Sequence, residues 1–178
     1  MESSPQADTP RRFDAAQGPR IVGAEDGLTV DLGSVGVRFL VSGAESGGGF
    51  SLVEHPIPPR TLAAPLHRHA NEDEYSYVLE GRLGALLGED VVFADVGDLV
   101  FKPRQQWHTF WNAGDGPCRI LEIISPGGFE QVFAEMAADP EAMAGGDAAA
   151  AMDRRYGVEV DYESIPRLCE EHRLSFPE

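Results

Sequence analysis

The chain is short of positive charge, of cysteine and of long apolar runs, and each shortage removes a class of function. Its 14 Lys and Arg stand against 30 Asp and Glu, a net charge of −16 over 178 residues. A field of that sign repels phosphate backbones, and no cluster of Lys or Arg overrides it, so nucleic acid and anionic membrane surfaces are excluded as partners. No apolar run approaches the ~18–20 residues that cross a bilayer. The N-terminus, Met1-Glu2-Ser3-Ser4-Pro5-Gln6-Ala7-Asp8, has neither the basic start nor the apolar middle of a signal peptide. The two cysteines, Cys118 and Cys169, lie far apart and form no metal or redox spacing. They read as reduced thiols, and the expected compartment is the cytoplasm.

What is present is enough for one domain with an appendage. At 42% hydrophobic residues the chain can build a core. Residues 1–19 are polar and lack apolar periodicity, and they read as a mobile arm. From residue 20 to residue 126, glycines and turn residues cut the chain into β-rich pieces at 28–32, 35–41, 50–54, 75–79, 83–87, 91–94, 99–101, 107–111 and 119–124. Short strands at nearly even spacing predict an all-β sandwich or barrel rather than alternating β and α units. After Pro126 the period changes. Phe129, Val132, Phe133 and Met136 recur at helical spacing, predicting a helix over 129–138. Further helices are predicted at 147–156, closed by Gly157, and at 162–174 with Pro166 in the first turn. Residues 127–178 therefore read as a helical extension packed outside the barrel or across its mouth.

Three of the five histidines fall into one pattern. His67 and His69 are two apart, so on a strand they face the same way and can converge on one ion. Glu74 is an odd number of residues further on. The turn-like Ala70-Asn71-Glu72-Asp73 lets the chain bend and bring it back inward. His108, on a later strand of a closed barrel, completes a set of three imidazoles and one carboxylate. Such a set suits one divalent transition metal, Fe, Ni, Co, Mn, Cu or Zn, and leaves positions open for catalysis.

These residues resemble the cupin superfamily. Its first motif reads HxH, four residues, E, six residues, G, and His67-Arg68-His69, Glu74 and Gly81 satisfy every spacing. Its second motif reads G, five residues, PxG, two residues, H, three residues, N. Gly97, Pro103, His108 and Asn112 match it, with Gln105 standing where glycine is usual. The glycine that often opens the first motif is replaced by Thr61. The resemblance covers roughly residues 35–126 and implies a jelly-roll β-barrel with the metal inside, carrying a C-terminal helical extension. The single acidic barrel followed by Pro-Gly-Gly-Phe also resembles bacterial quercetinase-like monocupins. That likeness implies for Glu74 a second role, as the catalytic proton acceptor.

Alternation extends the site. If Glu74 faces inward, Ser76 and Val78 follow, while Tyr75 and Tyr77 face outward. If His108 faces inward, Phe110 and Asn112 follow, leaving Trp107 and Trp111 on the other face. Ser76, Val78 and Phe110 then line an apolar substrate pocket, with Phe50, Leu52 and Phe101 as further candidates. The same residues equally suit core filling, which every barrel interior needs. His55 reads as a hydrogen-bonded structural residue and His172 as solvated. The outward aromatics need cover, which a second copy of the chain or the C-terminal helices would supply, and a homodimer is expected. Functionally, the chain reads as a metal-dependent dioxygenase, quercetinase-like, acting on a small aromatic or enol-type molecule. The alternatives are a non-catalytic small-molecule-binding or sensor cupin and a metal-dependent isomerase.

Overall fold

Period-two burial decides the layers. In the computed structural model, which describes residues 19–139 and 146–177, ten strands precede the first helix. They are β1 Thr29–Asp31, β2 Gly36–Val41, β3 Ser51–Ile57, β4 Leu66–His69, β5 Asp73–Glu80, β6 Arg82–Leu87, β7 Asp90–Asp95, β8 Leu99–Lys102, β9 His108–Asn112 and β10 Cys118–Ser125. The extension adds helix α1 Gln131–Ala138, helix α2 Gly146–Tyr156, strand β11 Val158–Asp161 and helix α3 Ser164–His172. One sheet runs β1-β2-β3-β10-β5-β8 and the other β11-β4-β9-β6-β7, with antiparallel pairing throughout. Two antiparallel sheets make the all-β sandwich or barrel expected from the strand spacing, in the jelly-roll form that the cupin resemblance implies.

Inward residues of the six-stranded sheet come from alternate positions. They are Val53, His55 and Ile57 on β3, Ile120, Glu122 and Ile124 on β10, and Glu74, Ser76 and Val78 on β5. With Leu83, Ala85 and Phe110 of the other sheet, the apolar members form one core. Each fully buried side chain of this kind stabilises the fold by roughly 1.5–3 kcal/mol relative to exposure.

The extension is not purely helical. Its Val158-Glu159-Val160-Asp161 alternates apolar and acidic residues and adds a strand to the edge of β4, setting Val160 opposite His67 and Val158 opposite His69. Arg68 supports the pairing with a hydrogen bond to Glu159, Nη2–Oε2 2.6 Å. At the entry to α1, the buried Glu130 accepts from the backbone N–H of Gly43 at 2.8 Å and of Gly128 at 2.7 Å, tying the extension to the barrel. The predicted arm lies outside the described residues except for Pro19.

Helix α3 overturns the expectation for His172. Instead of standing in solvent, its ring stacks on Trp111, centroids 4.4 Å apart and planes 19° apart. Trp111 faces away from the metal ligands as expected, but α3 covers it, and Leu62 and Leu168 join it in a second core. A Cβ at Gly84, directly across the sheet, would sit 2.2 Å from the indole nitrogen, so only glycine fits opposite this tryptophan.

Candidate metal centre

Strands β4 and β9 pair at His67 and His108, which fixes these two side chains beside each other across the ladder. His69 lies two residues along β4, on the same face. After the bend at Ala70-Asn71, β5 begins at Asp73 and turns Glu74 inward. One ligand atom from each of His67, His69, Glu74 and His108 lies within 4.8 Å of all the others, and all four residues are buried.

The protonation pattern of the rings matches what a metal needs. Nδ1 of His67 donates to the Pro65 carbonyl at 2.8 Å and Nδ1 of His108 to the Gln106 carbonyl at 3.0 Å. A carbonyl only accepts, so both rings carry their proton on Nδ1 and turn an Nε2 lone pair toward the cluster. Nδ1 of His69 faces the Glu72 carboxylate at 3.5 Å, while its Nε2 is buried without a hydrogen-bond partner, 3.4 Å from Oε1 of Glu74. Nε2 of His108 lies 3.2 Å from Oε2 of the same carboxylate. Burial pushes the pKa of His67 well below its ordinary value, helped by His108 and His69, and burial also lowers that of His108. Neutral imidazole nitrogens facing a carboxylate are acceptors facing an acceptor. A cation among them satisfies every one, so the residues fit a divalent metal.

A second buried cluster adjoins the first. Lys102, opposite Glu74 on β8, places Nζ 2.9 Å from Oε2 of Glu74 and 3.1 Å from Oε1 of Glu122. Ser76 donates to the other Glu122 oxygen at 2.6 Å. Burial acts to raise the Glu74 pKa, but the Lys102 ammonium overcomes it and holds the carboxyl well below the usual range. For Glu122 burial wins, with Glu74 adding to it, and its pKa is pushed up to about 7. Nζ of Lys102 also lies 4.4 Å from the centroid of the Phe110 ring.

Beside His67 opens a cavity of about 380 Å³. Phe110 and His55 line it from the barrel, and Phe129, Val132, Phe133, Met136 and Tyr156 from the extension. The edge of Phe129 lies against His69, centroids 4.4 Å apart. Of the three expected pocket residues, Phe110 lines this cavity. Ser76 and Val78 point inward but are fully enclosed, Ser76 held by Glu122 and Val78 packed in the core. The outward positions on the same sheet correct two further candidates: Phe50 and Phe101 are 40% and 48% exposed. Leu52 is half-buried and faces outward from β3. Asn112 is a scaffold residue; its side chain donates to the carbonyls of Ile57 and Gly116 and accepts from the N–H of Gly114.

Sequence reasoning missed Lys102, Glu122, Glu72 and Phe129 at this site. A signal existed for Lys102. In Leu99-Val100-Phe101-Lys102, alternation puts Lys102 on the face of Val100, and the ladder sets it opposite Glu74.

The Cupin_2 family, described as the cupin domain, matches residues 54–124, which contain all four clustered residues. This stretch of the chain is a cupin domain. An uncharacterized protein of Methanocaldococcus jannaschii is 33% identical over 66 residues, 37% of this chain and 50% of that protein, so the match spans half the length of that curated relative. Among solved structures, KdgF from Halomonas sp. superimposes with a TM-score of 0.56 at 13% identity, covering 64% of this chain and 98% of that one. A predicted oxalate decarboxylase from Thermotoga maritima gives 0.54 at 22% identity, covering 60% and 99%. At these identities the likeness is one of fold. Extension residues line the cavity beside the barrel's candidate ligands.

Proposed function

We propose that this cupin is a metal-dependent dioxygenase of quercetinase-like type, acting on a small, uncharged hydroxylated aromatic or enol molecule. One observation carries the reading: the metal cluster borders, through His67, a cavity walled by Phe110, Phe129, Phe133 and aliphatic side chains. Among the described residues lining it there is no lysine or arginine. A small dianion would find no cation there beyond the metal, whereas an aromatic ring finds matching walls.

His67, His69, Glu74 and His108 would hold the metal, which when bound supplies Lewis acidity and open positions for oxygen ligands. The chain's own groups do the rest. Phe129 shields the cluster from the side of the extension. Lys102 keeps Glu74 ionised, and in that arrangement Glu74 is a poor base. Because Lys102 lies between two carboxylates, a shift of its ammonium toward Glu122 frees Oε2 of Glu74 to accept a substrate hydroxyl proton.

The test is to quantify bound metal, reload with Fe, Ni, Co or Mn, and follow oxygen uptake with quercetin and a panel of flavonols and diketones. Turnover that disappears in His69→Ala and Glu74→Ala supports the reading. Stoichiometric metal without turnover on any of the panel leaves a small-molecule-binding cupin instead. The expected homodimer rests now on Tyr77, Leu99 and Phe101, exposed together on the outer face of β5 and β8. Light scattering that returns a monomer removes it.

A further inference from the structure

His55 is buried in the cavity wall, and among the described residues only one of its ring nitrogens has a hydrogen-bond partner. It sits on β3 opposite Ile120, with 3% of its surface exposed. Nδ1 lies 2.9 Å from the Gly36 carbonyl, and since a carbonyl only accepts, the ring proton is on Nδ1. Nε2 is therefore a lone-pair acceptor, and among the described residues none hydrogen-bonds to it. The ring is held at 5.3 Å, edge to face, from Phe133 and at 6.4 Å from Phe110. Burial pushes its pKa down to about 4, so it stays neutral at ordinary pH.

We propose that Nε2 of His55 is the anchor for the hydroxyl group of the ligand, accepting its hydrogen bond while the ligand's aromatic ring packs against Phe110 and Phe133. The ligand class is thereby narrowed to uncharged aromatic molecules bearing a hydroxyl remote from, or additional to, any oxygen that meets the metal. A phenolate or carboxylate is disfavoured here, because an acceptor nitrogen offers nothing to an anion. This rests on the reading of the cavity as the substrate chamber; it does not depend on which reaction takes place there.

The probes are naphthol and methoxynaphthalene, which share a ring system and differ in the hydroxyl proton. Their binding is measured by calorimetry on the full chain, metal-free and zinc-loaded. Wild type is expected to prefer naphthol by about fivefold to tenfold, the effect of one neutral hydrogen bond. His55→Leu is expected to bring the two ligands to near-equal affinity, and His55→Gln to restore part of the preference. Because His55→Leu also loses the bond to Gly36, nitrogen NMR on the wild-type chain provides the second measurement. The His55 Nε2 resonance is expected to move upfield with naphthol and to stay in place with the ether. An unmoved resonance at saturating naphthol, or an equal preference in wild type and both variants, overturns the proposal. The dioxygenase reading fails separately, as absent oxygen uptake with the naphthol preference intact.

Discussion

The two walls of the cavity are made by different rules. On the barrel side, backbone ladders set the positions of His67, which lines the cavity, and of the enclosed cluster behind it: His67 faces His108 across β4 and β9, Glu74 faces Lys102 across β5 and β8, and Ser76 faces Glu122 across β5 and β10. On the extension side, Val132, Phe133 and Met136 reach the cavity from a short helix, and their positions depend on side-chain packing. The barrel side is fixed by register, with the polar cluster enclosed behind a largely apolar lining, and a slip by one residue would turn every candidate ligand outward. The extension side is mostly apolar and set by packing. On the proposed reading, metal chemistry falls to the barrel and ligand shape to the extension. That division predicts that damage to one wall leaves the other's property standing.

The largest effect is expected at the ligands. His69→Ala removes a ring whose Nε2 has no hydrogen-bond partner among the described residues, and metal affinity should fall by more than the 10–100-fold typical of losing a supporting residue. Metal titration against wild type checks this, with the thermal midpoint of the metal-free forms as the control for folding. Retention of full metal affinity would break the assignment of chemistry to this wall. Next comes Lys102→Met, which leaves Glu74 and Glu122 buried without their shared cation. A stability loss of about 3–5 kcal/mol is expected by denaturant titration, much of it recovered in Lys102→Met with Glu122→Gln. Equal losses in the single and double variants would show that Lys102 acts through packing alone.

The pH response sharpens the same wall. His55 has a folded pKa of about 4 against an ordinary value of 6.5, so between those limits the unfolded chain binds more protons. Its contribution is complete above pH 6.5 and is lost as the pH falls toward 4, about 3 kcal/mol across the window. Buried His67 and His108 act in the same direction in the metal-free chain. His55→Gln should therefore flatten the acid slope of stability by about one proton rather than abolish it. An unchanged slope would mean that His55 is not held neutral by burial.

The extension is tested by Phe133→Ala, which should weaken binding of an aromatic ligand by roughly tenfold and leave metal stoichiometry unchanged. Loss of metal from this variant would erase the division between the walls.

How much of this was legible follows the same boundary. The ligands could be read because strand geometry converts sequence spacing directly into facing: two residues apart for His67 and His69, and a turn before Glu74. Ser76 and Val78 were rightly turned inward, yet alternation gives a side chain's face and not its depth, so the enclosed core and the open cavity looked alike. Lys102 escaped because a lone lysine in a strand is ordinarily a surface residue; its meaning comes from Glu122, 20 positions away on a strand that pairs with neither β8 nor the ligand strand β4. β11 was missed because its four residues follow a helix and gain strand character only from the free edge of β4. The cover that α3 gives Trp111 was equally a matter of tertiary packing.

The smallest effect tests whether a departure from the sequence motif carries a cost. Gln105 occupies the position where the motif has glycine, and its backbone keeps the glycine conformation, with φ at +65°. Its N–H donates to the His69 carbonyl at 2.7 Å, so the ligand strand itself holds the loop in that shape. A side chain with a Cβ is strained there by about 1 kcal/mol, beyond what glycine's extra freedom in the unfolded chain takes back. Gln105→Gly should raise the thermal midpoint by about 2–4 °C, since the bond to His69 uses only backbone atoms and survives the change. Metal affinity should stay the same, because the side chain that is removed is exposed. A lower midpoint would instead assign the Gln105 side chain a stabilising contact, and a change in metal affinity would mean that the loop, as well as the ladders, sets the geometry of His69.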